Sequence, residues 1–226
     1  NASEFKYLGK KRLIDWTINN LLKSKFINHI IISSPDQKVL EYIKKKKNKK
    51  LIPLKRSIAL ASANIMIDQS VNHAIKFYKK QKKISPKFIL VSKINCPFID
   101  PRHFDNSINA IQIYDLEILF GVKKINKFMF KHNGKTLSAL RNIDSSFYQL
   151  EKKNKFLLRL EQDEIYSEAG NFIVYKNLGN KISNNKKAKI GHEILDNLSS
   201  FELNSKLNWE LAESITKNLN YYKSKI

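Results

Sequence analysis

Lys93 and Asn95 follow directly on the apolar run Phe88-Ile89-Leu90-Val91. A run this short and apolar is too brief for a helix and suits a strand buried on both faces. In open sheets of such strands, ligands bind outside the carboxyl ends. The pair therefore offers a cation and an amide where a ligand site is expected. The same rule draws attention to Ser33-Ser34-Pro35-Asp36 after Ile30-Ile31-Ile32. Asp36, however, also stands where a side chain caps the next helix, and that is the preferred reading. Glu168 lies two residues before Gly170, and glycine permits close backbone approach. Cys96 beside Pro97 reads as a small packed residue, because no neighbour in sequence would stabilise a thiolate. The five histidines are scattered without metal-ligand spacing. His29, before a strand, and His73, on a helix, read as structural.

The elements that must position these residues are legible in part. Leu13-Ile14-Asp15-Trp16-Thr17-Ile18-Asn19-Asn20-Leu21-Leu22 carries apolar residues at helical spacing. The strand at Ile30–Ile32 and a helix from Lys38 follow. Leu51 to Ser57 reads as a loop. A helix is expected near Ile67 to Lys80, with Val71, Ala74, Ile75 and Tyr78 on one face. After the run at Phe88, Pro101 suits the first turn of a helix over His103 to Ile111. Leu116 to Val122 is a further strand. Asn133-Gly134 predicts a type I′ hairpin turn within Lys127–Lys135. Asn171–Tyr175 is a returning strand, Ile190–Leu195 an edge strand, and Leu207–Leu219 a closing helix with Trp209, Leu211, Ala212 and Ile215 at packing positions. Strands alternating with helices make this an α/β chain. Residues 1–226 read as one domain, with 123–165 an excursion from the sheet of the kind that meets a second subunit.

Composition narrows the alternatives. The chain of 226 residues is 42% hydrophobic, enough for a real core. No apolar run approaches a membrane span and no signal-peptide pattern is visible, so a cytoplasmic protein without a membrane partner is expected. A single cysteine excludes an internal disulfide framework and a cysteine-based zinc site within one chain. The first residue is Asn1, which reads as a start trimmed or incompletely covered. The net charge of +22 points toward nucleic acid. Only Arg12, Arg56, Arg102, Arg141 and Arg159 are arginines, however, and Lys, Asn and Ile are abundant at plainly structural positions. That bias fits AT-rich coding better than a binding stripe. The run Lys44–Lys50 sits at a helix end, where lysine complements the helix dipole. A nucleic-acid partner is therefore not expected.

Five segments, in order, resemble a known family. Leu8-Gly9-Lys10-Lys11-Arg12-Leu13-Ile14-Asp15-Trp16-Thr17-Ile18 is similar to L-x-G-K-P-L-I-x-(W/Y)-T-I. Ile31–Asp36 is similar to a strand ending in S-T-D, and Arg56–Asn64 stands at R-P-x-E-L-A-x-D-T. Tyr166–Phe172 resembles Y-x-E-x-G-x-F, and Glu202–Trp209 stands at D-I-(D/N)-T-x-x-D-(W/L). These motifs belong to the cytidylyltransferase family that includes the CMP-sialic acid synthetases and related CMP-sugar enzymes. The resemblance covers nearly the whole chain.

It implies a Rossmann-like nucleotidyltransferase fold of the nucleotide-diphospho-sugar transferase type, with a mainly parallel sheet, flanking helices and a protruding dimerisation arm. It implies a homodimer that joins CTP to a sialic-type (nonulosonic) or related sugar acid, releases pyrophosphate and uses Mg²⁺. Charge building on phosphate oxygens must then be met by a glycine-rich loop, basic side chains and the metal. By position, the resemblance assigns Arg56, Lys93 and Arg159 to catalysis. It assigns Lys11, Asn95, Gln162 and Glu168 to substrate, and Glu202 and Asn204 to the metal. For Arg56, and for Arg159 with Gln162, a surface ion pair or charge cluster is the competing reading. Departures fall near the chemistry. Arg12 replaces Pro, Glu4 an Asn, Ala63 an Asp and Lys93 a Gln. Glu202 and Asn204 replace a carboxylate pair, and Asn208 an Asp. The family's opening strand and basic phosphate-binding loop align ahead of Asn1. A catalytically impaired relative that binds nucleotide or sugar acid is therefore the alternative.

Overall fold

The computed structural model describes residues 3–61, 67–125, 130–139, 164–178 and 188–223. They form two compact units, one from residues 1–122 and 168–226 and a second from residues 123–167.

The larger unit opens with a 3-10 turn at Ser3–Phe5 and a small antiparallel hairpin, β1 (Tyr7–Leu8) and β2 (Lys11–Arg12). Gly9 sits in its turn at φ +60°, and a Cβ there would come within 2.8 Å of Thr216 Oγ1. Helix α1 (Leu13–Lys23) buries Leu13, Ile14, Thr17, Ile18 and Leu21, the face expected from the sequence. Strand β3 (Ile30–Ser34) ends in the turn where Asp36 accepts the Lys38 N–H at 2.8 Å and caps α2 (Gln37–Lys45). Next comes β4 (Leu51–Lys55), paired in parallel with β3. This corrects the expected loop. Pro53 argued against a strand, but β4 pairs on one side only, and proline is tolerated on an edge.

Helix α3 (Ile67–Lys82) leads to β5 (Phe88–Ser92), and α4 (Pro101–Ile113) has Pro101 in its first turn with Asp100 as cap. β6 (Ile118–Lys124) and the second unit's hairpin, β7 (Phe130–His132) with β8 (Leu137–Ala139), follow. β9 (Tyr166–Lys176), β10 (Ile190–Ile194), α5 (Lys206–Lys217) and α6 (Leu219–Lys223) complete the chain. In the β7–β8 hairpin the Asn133 N–H donates to Thr136 O, so Gly134-Lys135 occupies the corner. The expected Asn-Gly corner is thus displaced by one residue, because the Asn133 side chain accepts the Lys135 and Thr136 N–H groups.

Besides the β1–β2 and β7–β8 hairpins, the described strands form a four-stranded sheet of order β10-β6-β9-β5 and a two-stranded sheet of β3 and β4. β6 and β10 are parallel, and β9 runs antiparallel to β5. The period of two sorts the side chains. Leu119, Phe172 and Val174 face α1, α2 and α4, in a core with Ile18, Ile43, Phe104 and Ile111. Ile89, Val91, Ile173 and Tyr175 face Val71 and Ile75 of α3. A third cluster joins Leu8, Leu13, Phe98, Leu198 and Ala212 to Trp16, Ile94, Leu203 and Trp209. Each fully buried Leu or Phe contributes about 1.5–3 kcal/mol. Leu211, expected to pack, is 46% exposed.

Candidate functional site

β9 is kinked where Gly170 (φ +72°) and Asn171 (φ +48°) both take left-handed backbone. Two such residues in a row bend a strand and re-aim its side chains. Asn171 then meets the segment leaving β5. Its carbonyl accepts the Lys93 N–H at 3.0 Å, and its Nδ2 donates to Cys96 Sγ at 3.5 Å. The next carbonyl along, that of Asn95, accepts the Leu203 N–H at 2.8 Å, which ties residues 202–204 to the carboxyl end of β5. Burial pushes the Cys96 thiol up to about 12; the Asn171 bond opposes this, Glu202 adds to it and Lys93 subtracts. The charges of Lys93 and Glu202 are thus both felt at a buried thiol whose raised pKa leaves it a poor nucleophile, and the Asn95–Leu203 bond brings the Glu202 segment to the same strand end.

Asn208 shapes the loop from Glu202 to Ser205. Its Nδ2 donates to Glu202 O at 2.7 Å and to Asn204 Oδ1 at 2.6 Å. Ser205 caps α5 by accepting the Asn208 N–H. Beside this loop lies a cavity of about 440 Å³, lined by Lys6, Leu203, Asn204, Lys206, Trp209 and Glu210. Lys6 Nζ stands 3.8 Å from the Trp209 ring centre. Neither Lys6 nor Asn171 is singled out by the sequence alone. For Asn171, the Gly-Asn pair inside a strand pattern is a usable signal.

Arg56 lies at the carboxyl end of β4. Its N–H donates to Ser34 O, and Nη1 donates to Ser70 Oγ at 3.2 Å. Among the described residues, Arg56 Nε, Ser33 Oγ and Asn95 Oδ1 are buried without a partner, as are Asn72 Oδ1 and His73 Nδ1 on α3 and Thr17 Oγ1 on α1. Three of these six atoms belong to the carboxyl ends of β3, β4 and β5. Unmet buried polar atoms are costly and call for a ligand or further chain.

Lys11 extends over Trp16, 5.2 Å from its ring, at the edge of the cluster that holds Ile94 and Leu203. Glu168 is exposed on the α3 face of β9. Burial first, then Asp68 and Glu168, push the Tyr175 hydroxyl up to about 12. Gly170 gives no room for a ligand, since a Cβ there would stand 2.3 Å from Leu195 Cδ1. Its role is packing and backbone shape. Arg159 and Gln162 lie outside the described residues. The sequence-based set thus divides: Lys93, Asn95, Glu202 and Asn204 come together, Lys11 borders them, and Arg56 and Glu168 lie toward α3.

No group of three or more His, Cys, Asp and Glu side chains converges on a metal site among the described residues. Glu202 supplies one carboxylate, and the Asn204 side-chain oxygen is already engaged by Asn208. This donor set suits Mg²⁺ held by one carboxylate and substrate phosphates, the usual mode for that ion.

A cytidylyltransferase family model matches residues 5–178. The chain belongs to the cytidylyltransferase family. Comparison with curated protein sequences finds no match. Among solved structures, the chain is similar to 4-diphosphocytidyl-2C-methyl-D-erythritol synthase from Anaerococcus prevotii. The TM-score is 0.61 at 12% identity, covering 93% of this chain and 88% of that one. It is also similar to 2-C-methyl-D-erythritol 4-phosphate cytidylyltransferase from Thermus thermophilus, with TM-score 0.56, 12% identity, and 95% and 94% covered. A CMP:2-keto-3-deoxy-manno-octonic acid synthetase complexed with CTP gives TM-score 0.63 at 10% identity, with 96% and 92% covered. At these identities the likeness is one of fold, an α/β nucleotidyltransferase fold. No helix among the described residues is long and apolar enough to cross a membrane.

Proposed function

We propose that this cytidylyltransferase transfers CMP from CTP to a sugar acid of the nonulosonic type, releasing pyrophosphate, and that it acts as a homodimer through residues 123–165. The observation that carries this reading is the convergence of Lys93, Asn95 and Glu202 at the carboxyl end of β5. The ordered motif series supports the substrate class.

In the reaction the anomeric hydroxyl of the sugar acid attacks the α-phosphorus of CTP. The bond from that phosphorus to the bridging oxygen breaks, pyrophosphate leaves with the bonding electron pair, and the hydroxyl proton passes to solvent. Negative charge grows on the phosphate oxygens, and cations held in place beforehand stabilise it most. Lys93 supplies a cation at the carboxyl end of β5, on a backbone held by the bond of its N–H to Asn171 O. Arg56, with an unmet Nε, is a second at the carboxyl end of β4. Asn95 Oδ1, buried and unpaired, is an acceptor for a base amino group or a sugar hydroxyl. Glu202 is the carboxylate that would hold Mg²⁺, which when bound neutralises charge on the triphosphate. Arg159 and Gln162 are proposed to grip the sugar carboxylate, Lys11 and Glu168 to border the substrate.

Among the described residues, the open edges of β3 and β5 flank the same unmet polar atoms, with α3 packed near both. The test uses the intact protein. It is incubated with CTP and Mg²⁺ and a panel of nonulosonic acids, a ketodeoxyoctonic acid and methylerythritol phosphate, and pyrophosphate is measured. Release with a sugar acid and not with the polyol phosphate supports the proposal; the reverse refutes the substrate class. One observation favours a second reading, a binding protein with impaired chemistry: Asn204 stands in place of a carboxylate and its oxygen is engaged by Asn208. CTP binding without pyrophosphate release from any acceptor would establish it.

A further inference from the structure

The face opposite the candidate site has its own chemistry. α1, α3 and α4 all end at the amino ends of the strands, and bonds run along this rim. Lys50 Nζ donates to Ile27 O, the Tyr78 hydroxyl meets His29 Nδ1, Asn177 Nδ2 donates to Pro86 O, and the Glu117 N–H donates to Lys189 O. Residues 25–29, 47–50, 79–87, 112–117, 176–178 and 189–190 therefore share one end of the larger unit.

Exposed lysines crowd this end: Lys25, Lys49, Lys82, Lys83, Lys87 and Lys189. Their field is felt inside the protein, where burial and then Lys82 and Lys50 lower the pKa of His29. Acidic groups here are few. Asp105 is occupied by Ser24 Oγ and the Lys25 N–H, and Asp115 is paired with Lys176. Lysines at helix ends are expected, since they complement the helix dipole. The apolar residues interleaved with them are not. Phe26 is 46% exposed, Ile84 58%, Ile113 73%, Tyr114 70% and Ile190 63%. Each stands in a loop, at a helix end or at a strand start on the same end, three of them next to a lysine in sequence. Single exposed apolar residues are ordinary, but a set gathered on one charged face marks an interaction surface.

We propose that this amino-end face docks on an anionic lipid bilayer, lying on it without spanning it. Lysines attract the anionic headgroups, and the apolar tips enter the boundary below them. Two features favour lipid over nucleic acid. The face has no arginine among its described residues, and most of its exposed apolar tips are aliphatic, which cannot stack on bases as nucleic-acid binders do. The expectation of no membrane partner came from the lack of a spanning run, which bears only on crossing. Docking in this pose leaves the carboxyl-end site facing away from the bilayer.

The test is flotation of the full chain with vesicles of phosphatidylcholine alone, and of phosphatidylcholine mixed with phosphatidylglycerol. Three triple variants are compared, all at exposed positions and each checked by thermal melting. Lys25→Glu/Lys83→Glu/Lys189→Glu should lower affinity for the mixed vesicles roughly a hundred-fold, given about five-fold per lysine. Lys38→Glu/Lys135→Glu/Lys217→Glu makes the same change in net charge elsewhere and should leave affinity within about five-fold. Phe26→Ser/Ile84→Ser/Ile113→Ser keeps all charges and should weaken binding about ten-fold or more. The proposal is overturned by equal losses in the two lysine sets or by no loss in the serine set, which shows bulk charge adsorption. Equal binding to neutral vesicles also overturns it. So does salt-sensitive binding to duplex DNA with no vesicle binding.

Discussion

His103 on α4 is held between two carboxylates, with Nδ1 2.8 Å from Glu193 and Nε2 3.0 Å from Asp196. Asp196 also accepts the N–H groups of Leu198 and Ser199, and Ser199 Oγ accepts that of Asp100. This cluster fixes the turn that leads into Phe201 and Glu202. Burial works against a charged imidazole, but the bonds to Asp196 and Glu193 outweigh it and raise His103 from 6.5 to about 9. The same pairing holds Asp196 below the usual carboxylate range, against the effect of its burial. Because the folded pKa lies above the unfolded one, the stabilisation is complete below about 6.5 and is lost as pH rises through about 9. The shift corresponds to about 3 kcal/mol, reduced to about 2 by screening at the edge of the cluster. His103→Gln keeps a hydrogen-bonding side chain and removes the charge. Urea unfolding of both proteins at about pH 6, 8 and 10 reads the difference directly. The variant should be less stable by about 2 kcal/mol near pH 6, by roughly 1 kcal/mol near pH 8, and by close to zero near pH 10. A gap that is constant across this range, or one that grows with pH, refutes the assignment of a charged His103.

Gly170→Ala should cost about 2–3 kcal/mol, from the left-handed backbone and the displacement of Leu195, and an unchanged calorimetric midpoint would contradict this. Phe172→Ala, with its ring fully buried and edge-on to Phe104 at 5.3 Å, should lose about 3–5 kcal/mol in urea unfolding. Lys93→Ala should weaken CTP binding about ten-fold with Mg²⁺ present or absent, whereas Glu202→Gln should weaken it only with Mg²⁺. A Glu202→Gln effect that is the same without metal would remove Glu202 as a metal-holding residue.

Local chemistry made much of the fold readable. Asp36 as a cap, Pro101 in a first turn and the apolar face of α1 each depend on residues within a few positions of one another. β4 was hidden because Pro53 is a strong local signal, whose tolerance depends on which strand lies at the edge. Leu211 fits a helical stripe, but α5 packs through Ala212, Trp209 and Ile215, so its neighbour stays in solvent. The placement of Lys93 and Asn95 after β5 was legible because the strand itself does the positioning. The site was not legible where distant segments meet. Lys6 over Trp209 and the His103–Glu193–Asp196 cluster join residues about 90 to 200 positions apart, and no spacing rule reaches that far.

The central claim is that the carboxyl-end group of Lys93, Asn95 and Glu202 forms a cytidine triphosphate site. Isothermal titration of CTP, with ATP as control, into the protein with and without Mg²⁺ tests it most directly. Selective CTP binding that strengthens with Mg²⁺ and weakens in Lys93→Ala is the expected result. Absence of CTP binding, or equal binding of ATP, would contradict it.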